Sequence, residues 1–185
     1  MAGAHGHVDH RTDKRIALLI AVLALVLAFS ETLGKSAQTA GLTANIEAAN
    51  LWAFFQAKTV RQTTLRTAAE LLEAQSGALA PDAARKQAEK WKQAAERYQS
   101  EPETGEGRNE LATRAQGSEA RRDRALAAYH HYELASAAVQ IAIVLASASI
   151  ITETMALAWI AGALGLAGVV LCVIGFWFPT AVHML

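Results

Sequence analysis

Twenty-four consecutive residues without a charge, Met155 to Phe178, constrain this chain more than any other feature. A helix needs about 20 apolar residues to cross the roughly 30 Å hydrocarbon core of a bilayer. Residues 155–178 therefore predict a transmembrane helix, ended by Pro179 and a short tail over 179–185. Trp159 and Trp177 fall near its two ends, where amphipathic rings favour the membrane interfaces. Two further apolar blocks accompany it. Residues 16–33 begin with fourteen unbroken apolar residues, Ile16 to Phe29, before Ser30 and Glu31, which puts Glu31 near the far interface. Residues 134–152 are apolar but diluted by Ser136, Gln140, Ser147 and Ser149. A secretory signal peptide competes for the first block, because Arg11, Lys14 and Arg15 precede it. No small-x-small cleavage site follows the block cleanly, and helix-forming sequence continues beyond it. The expected fold class is all-α, an integral membrane protein with three transmembrane helices.

Small residues recur on the second and third blocks. Ala138, Ala142 and Ala146 stand four apart, and Gly162, Gly165 and Gly168 follow Ala158 and Ala161. In lipid such faces let two backbones approach closely and gain van der Waals contact. The candidate helix-interface positions are Ala138, Gln140, Ala142, Ala146, Ala158, Gly162, Gly165 and Gly168. Gln140 belongs with them because an unpaired amide in hydrocarbon costs on the order of several kcal/mol, so it should bond across an interface. Only Thr152, Glu153 and Thr154 separate the two blocks, which predicts a tight antiparallel hairpin with Glu153 as its polar turn residue.

Between Glu31 and Glu133 the chain carries 14 basic and 14 acidic residues, interspersed as on a solvated helix surface. That balance removes the clustered basic excess that nucleic-acid binding needs, and the basic face that adsorption to a membrane surface needs. Residues 36–75 hold no Pro and one Gly and are rich in helix formers. One seam runs through Leu42, Ile46, Ala49, Ala53 and Val60, and a second through Leu51, Phe55, Leu65, Ala69 and Leu72. Two seams at coiled-coil spacing imply two neighbours. A turn is expected near 76–82, then a short helix with a stripe at Ala84, Ala88, Trp91, Ala95 and Tyr98, then a loop over 101–107 around Pro102, Gly105 and Gly107. From Arg108 the pattern resumes and runs without a breaker into the second apolar block. Residues 34–133 thus read as an antiparallel helical-bundle or coiled-coil insertion, with the first apolar helix continuing directly into it.

Candidate chemistry is sparse. His5, His7 and His10 beside Asp9 are ligand types suited to Zn, Ni or Cu, but they sit in a Gly-containing tail over residues 1–15 that reads as flexible. Glu31, Tyr129, His130, His131 and Glu133 are expected at one membrane level. On a helix Tyr129, Tyr132 and Glu133 share a face while His130 and His131 point elsewhere. Interface anchoring is the plain reading of this cluster, and a proton-handling or ligand site the functional one. Trp52, Phe54 and Phe55 read as core or subunit interface. The single Cys172 lies in an apolar block and suggests neither an intrachain disulfide nor a metal cluster. Gly-rich phosphate loops, G-x-S-x-G and H-E-x-x-H are absent from the sequence. No cofactor is expected.

The strings NLWAFFQAKTVRQ (Asn50 to Gln62), RYQSEPETGEG (Arg97 to Gly107) and LAAYHHYELASAAVQIAIVLASASIIT (Leu126 to Thr152) resemble a widespread bacterial family of small membrane proteins recorded only as a domain of unknown function. The resemblance extends over most of the chain from about Arg15. It implies an inner-membrane protein with about three membrane helices and carries no catalytic residue over to this chain.

Arg11, Lys14 and Arg15 favour a cytoplasmic N-terminus, whereas Arg114, Arg121, Arg122 and Arg124 favour a cytoplasmic insertion. With three crossings the two signals oppose one another and leave the side open. The functional expectation is a non-enzymatic scaffold or accessory protein of the bacterial inner membrane. Its partners would be the lipid bilayer and a second copy or other membrane subunits, with no nucleic acid. A small channel or transporter subunit, with Glu31, Gln140 and Glu153 along a path, is the alternative.

Overall fold

A computed structural model describes residues 10–76 and 82–181. Among them are four α-helices and no strand: α1 His10–Ser76, α2 Asp82–Gln99, α3 Arg108–Thr152 and α4 Met155–Trp177. Three of the four, α1, α3 and α4, are long and apolar enough to cross a membrane. Residues 10–15 are helical where a tail was expected. Residues 77–81 of the expected turn lie outside the described residues. The α2–α3 connection runs from Ser100 to Gly107, and α4 ends one residue early, at Trp177, where the Phe178 N–H donates back to Ile174 O at 2.8 Å.

The chain packs as two units, Met1–Gly41 with Asp123–Leu185, and Leu42–Arg122. The division falls beyond the expected boundaries at 34 and 133 because α1 and α3 remain in close contact past both. A Cβ at Gly34 would lie 3.5 Å from Tyr132 Cβ, and one at Gly41 would lie 3.1 Å from Leu126 Cδ2. An interior helical glycine costs about 1 kcal/mol relative to alanine. Here both mark approaches between helices, and α1 continues through them unbroken.

In the first unit Ile16, Leu23, Val139, Ala142, Ala146 and Ala161 form the buried core. The α3 seam is Ala135, Val139, Ala142, Ala146 and Ser149, alternating four and three residues apart, so Ala142 and Ala146 are buried while Ala138 sits at the half-buried edge. On α4 the buried positions are Ala161, Gly165, Gly168 and Gly175. Ala158 packs against the core from its rim. Gly162 departs from the expected interface: a Cβ there would meet nothing within 4 Å. The seam advances by sevens from Ala161 to Gly168 to Gly175, and Gly162 lies one residue, about 100°, off it. The α3–α4 turn places Glu153 at φ 55°, the left-handed conformation a three-residue reversal demands.

In the second unit the inward face of α1 is Ala44, Ala48, Leu51, Phe55, Lys58, Gln62, Leu65 and Ala69, again four and three apart. The seam expected through Leu51, Phe55, Leu65, Ala69 and Leu72 lies on this face. Leu42, Ile46, Ala49, Ala53 and Val60 do not: all five are exposed. Both neighbours of this part of α1 come from one side. α3 brings Leu111 and Ala115 to Leu51, Trp52 and Phe55, and α2 turns Ala88 and Ala95 inward. The alanines at 44 and 48 admit a close neighbour, and the larger Leu42 and Ile46 are left outside.

Candidate functional site

Two polar arrangements stand out, one in each unit. In the first, α1 and α3 enclose an open cleft of about 480 Å³ lined by Ser30, Glu31, Gly34, Lys35, Gln38, Tyr129, Tyr132, Glu133, Ser136, Ala137 and Gln140. Its floor is a hydrogen bond between the hydroxyls of Ser30 and Ser136 at 2.9 Å, with Ser30 fully buried. Gln140 Nε2 reaches across from α3 to Glu31 Oε1 at 3.5 Å, the interhelical contact expected of an amide in an apolar helix. Glu31 and Lys35 lie one turn apart on α1, as do Tyr129 and Glu133 on α3, and helical spacing aims each pair at the cleft.

His130 and His131 do not share it, which corrects their inclusion with Glu31, Tyr129 and Glu133. Successive helical residues diverge by about 100°. His130 is half-exposed, with Nδ1 3.8 Å from Glu133 Oε2. His131 is 2% exposed, packs under Gly175 of α4, and places Nε2 3.3 Å from Pro179 O. It secures the end of α4. Glu153 sits at the opposite end of α3. His5, His7, Asp9 and the side chain of His10 lie outside the described residues, and no group of His, Cys, Asp or Glu that could hold a metal occurs among those described.

In the second unit two of the strings quoted above, Asn50 to Gln62 and Arg97 to Gly107, meet around Lys58 and Arg108. Lys58 is 6% exposed. Its ammonium lies 5.4 Å from the Phe54 ring centre, 5.2 Å from Tyr98, 3.9 Å from Glu101 Oε2 and 3.7 Å from Glu106 Oε2. A buried ammonium is tolerated where aromatic faces and carboxylates replace its water. Arg108 lies 4.9 Å over the Phe55 ring and donates to Gln62 Oε1 and to Gln99 Oε1. Sequence reasoning missed Lys58, Gln62, Gln99 and Arg108; the signal was two polar residues, Lys58 and Gln62, at seam positions of an otherwise apolar face.

The same network fixes the loop. Ser100 Oγ donates to Glu110 Oε1 at 2.6 Å, the Glu101 N–H donates to Glu110 Oε2 at 3.3 Å, and Arg97 donates to Glu101 Oε1 at 2.9 Å. The Ser100 hydroxyl, with backbone N–H groups, holds the Glu110 carboxyl below the usual carboxylate range, and Arg97, then Thr104, does the same for Glu101. A carboxyl with a lowered folded value stabilises the fold above its unfolded value, and loses that contribution as pH falls through the folded value. Stability should therefore decline below about pH 4.3, the ordinary Glu value. The denaturation midpoint of the full chain in detergent, followed from pH 6 to pH 3, should fall more steeply for the wild type than for Glu110→Gln. Equal slopes would remove the loop staple as the cause.

No curated protein and no solved structure matches the chain. A family model does, over residues 12–178, all but the two ends of the sequence. It covers both the cleft and the Lys58–Arg108 network, and the chain belongs to the family described as a domain of unknown function, DUF4337.

Proposed function

We propose that the protein is a non-enzymatic scaffold of the bacterial inner membrane, held by three membrane-spanning helices and self-associating through α1. Insertion is supported by the outer surface of the first unit, where Leu18, Leu25, Phe29, Val144, Leu166 and Val173 are all exposed. Apolar surface of that extent is unfavourable in water and matched by lipid. The apolar core at Leu23, Val139, Ala142, Ala146 and Ala161 favours a packed scaffold over a polar path from Glu31 to Glu153.

One observation carries the self-association. Leu42, Ile46, Ala49, Ala53, Val60 and Leu71 lie on a single side of α1, and the whole stripe is exposed, Ile46 at 53% and Val60 at 65%. No residue within about 60° of its centre line carries a charge, although the rest of the second unit is dense with charge. A heptad-spaced, uncharged stripe is complementary to an uncharged stripe, and a second copy related by a two-fold axis supplies one.

Gentle extraction of the tagged protein from native membranes should give a particle containing a defined multiple of the 19.7 kDa chain. Ile46→Lys with Val60→Lys should reduce it to one copy with helix content unchanged, since both side chains are exposed. A wild-type particle of one chain, unaltered in the double variant, would refute self-association. Other subunits present in fixed ratio would replace it with docking onto a larger complex.

A further inference from the structure

The cleft between α1 and α3 is not used by self-association, and its chemistry is specific. It holds charges of both signs that do not satisfy one another. Among the described residues Lys35 and Glu31 form no ion pair, although they stand one turn apart on the same helix and line the same cleft. Glu133 faces Glu31 from α3, and Tyr129 and Tyr132 supply aromatic wall. The cavity falls within the roughly 300–1,000 Å³ typical of small-molecule sites. Its position narrows the ligand further. Glu31 and Glu133 each mark the polar end of an apolar run, while Ala137 and Gln140 carry the lining one to two turns into the α3 run. A cleft at this level opens where lipid headgroups lie.

We propose that the cleft binds the zwitterionic headgroup of an aminophospholipid, phosphatidylethanolamine, with the primary ammonium between Glu31 and Glu133 and the phosphate on Lys35. Each charge of the headgroup then meets an opposite charge: among the described residues Lys35 has no ion-pair partner, Glu31 accepts only from the neutral Gln140 amide at 3.5 Å, and Glu133 has only the half-exposed His130 ring at 3.8 Å. A primary ammonium offers three N–H donors to two carboxylates, which a quaternary ammonium does not. An anionic headgroup without an amine would leave both carboxylates unanswered and repelled. The assignment rests on membrane insertion of the first unit, as proposed above.

The test uses the full chain purified in detergent and incorporated into nanodiscs of phosphatidylcholine carrying phosphatidylethanolamine or phosphatidylglycerol, with bound lipid counted by native mass spectrometry. Phosphatidylethanolamine should be retained in preference to both others. Glu31→Gln and Glu133→Gln should each weaken retention by about tenfold, the loss of one charged hydrogen-bond partner, while Glu153→Gln at the far turn leaves it unchanged. All three side chains are exposed, so the fold survives the substitutions. Equal retention of the three lipids, or retention indifferent to Glu31 and Glu133, would overturn the proposal. Displacement of the lipid by soluble phosphoethanolamine at equal concentration would overturn the lipid as the source and leave a soluble phospho-amine in its place. Release of the protein from native membranes by alkaline carbonate would instead refute insertion, which separates the two failures.

Discussion

Gly107→Ala is expected to cost the second unit about 3 kcal/mol, the upper end for overpacking a close contact. A Cβ at this position would overlap the Glu101 backbone nitrogen, the Glu110 carboxylate and, at 2.7 Å, the Ser100 Cα. Two of these are backbone atoms, so the collision cannot be relieved by turning a side chain. It also strikes the hydrogen bonds that Glu110 makes to Ser100 and Glu101. Two neighbouring glycines serve as controls. At Gly105, φ is 67° with open space around it, and alanine there should cost about 1 kcal/mol from left-handed backbone strain alone. At Gly117, helical with nothing within 4 Å, alanine should stabilise by about 0.5 kcal/mol. Denaturant unfolding of the three variants, read by far-UV circular dichroism, should rank them in that order. A Gly107→Ala protein as stable as Gly105→Ala would show that the loop relaxes freely.

Gly168→Leu should separate α3 from α4 at a cost of about 3 kcal/mol, with Gly162→Leu near neutral. A Cβ at Gly168 would come 2.6 Å from Val139 Cγ2 and 3.3 Å from Ala135 O. Val139 is β-branched and buried in the core, so it has no free rotamer to yield, and the carbonyl belongs to the α3 backbone. Gly165 is the milder case, because its Cβ would press on the flexible end of Leu23. The measurement is thermal unfolding in detergent across the three Leu variants. Equal effects at 162 and 168 would mean that the open side of α4 is covered in the assembled protein, which would make Gly162 an intermolecular contact.

Much of the architecture is legible in the amino-acid sequence. Helix breakers stand where helices end, at Pro102, Gly105, Gly107 and Pro179, and between Ser36 and Gln75 there is no Pro and a single Gly, Gly41, which leaves α1 whole. The short Thr152–Thr154 connection requires α3 and α4 to reverse on one another, which the left-handed Glu153 accomplishes. The polar cleft was half legible. Apolar-block boundaries put Glu31, Tyr129, His130, His131 and Glu133 at one level, and helical spacing already turned His130 and His131 away from Tyr129, Tyr132 and Glu133; which face of α1 meets that side of α3, and so brings Ser30 and Lys35 to it, is not written in either spacing.

Apart from the helical start over residues 10–15, the sequence by itself determined which of the described segments are helical, which are apolar enough for a bilayer, and that small residues would line the contacts, because these follow from composition and local periodicity along one chain. Only the tertiary structure decided which of two equally good seams on α1 faces inward. It also decided that Gly162 stands free while Gly168 is packed, and that Lys58 and Arg108 draw two distant strings into one network. Those outcomes depend on which neighbour occupies which side of a helix. Periodicity is blind to that choice, since a stripe of side chains has the same spacing whether another helix or the surroundings cover it.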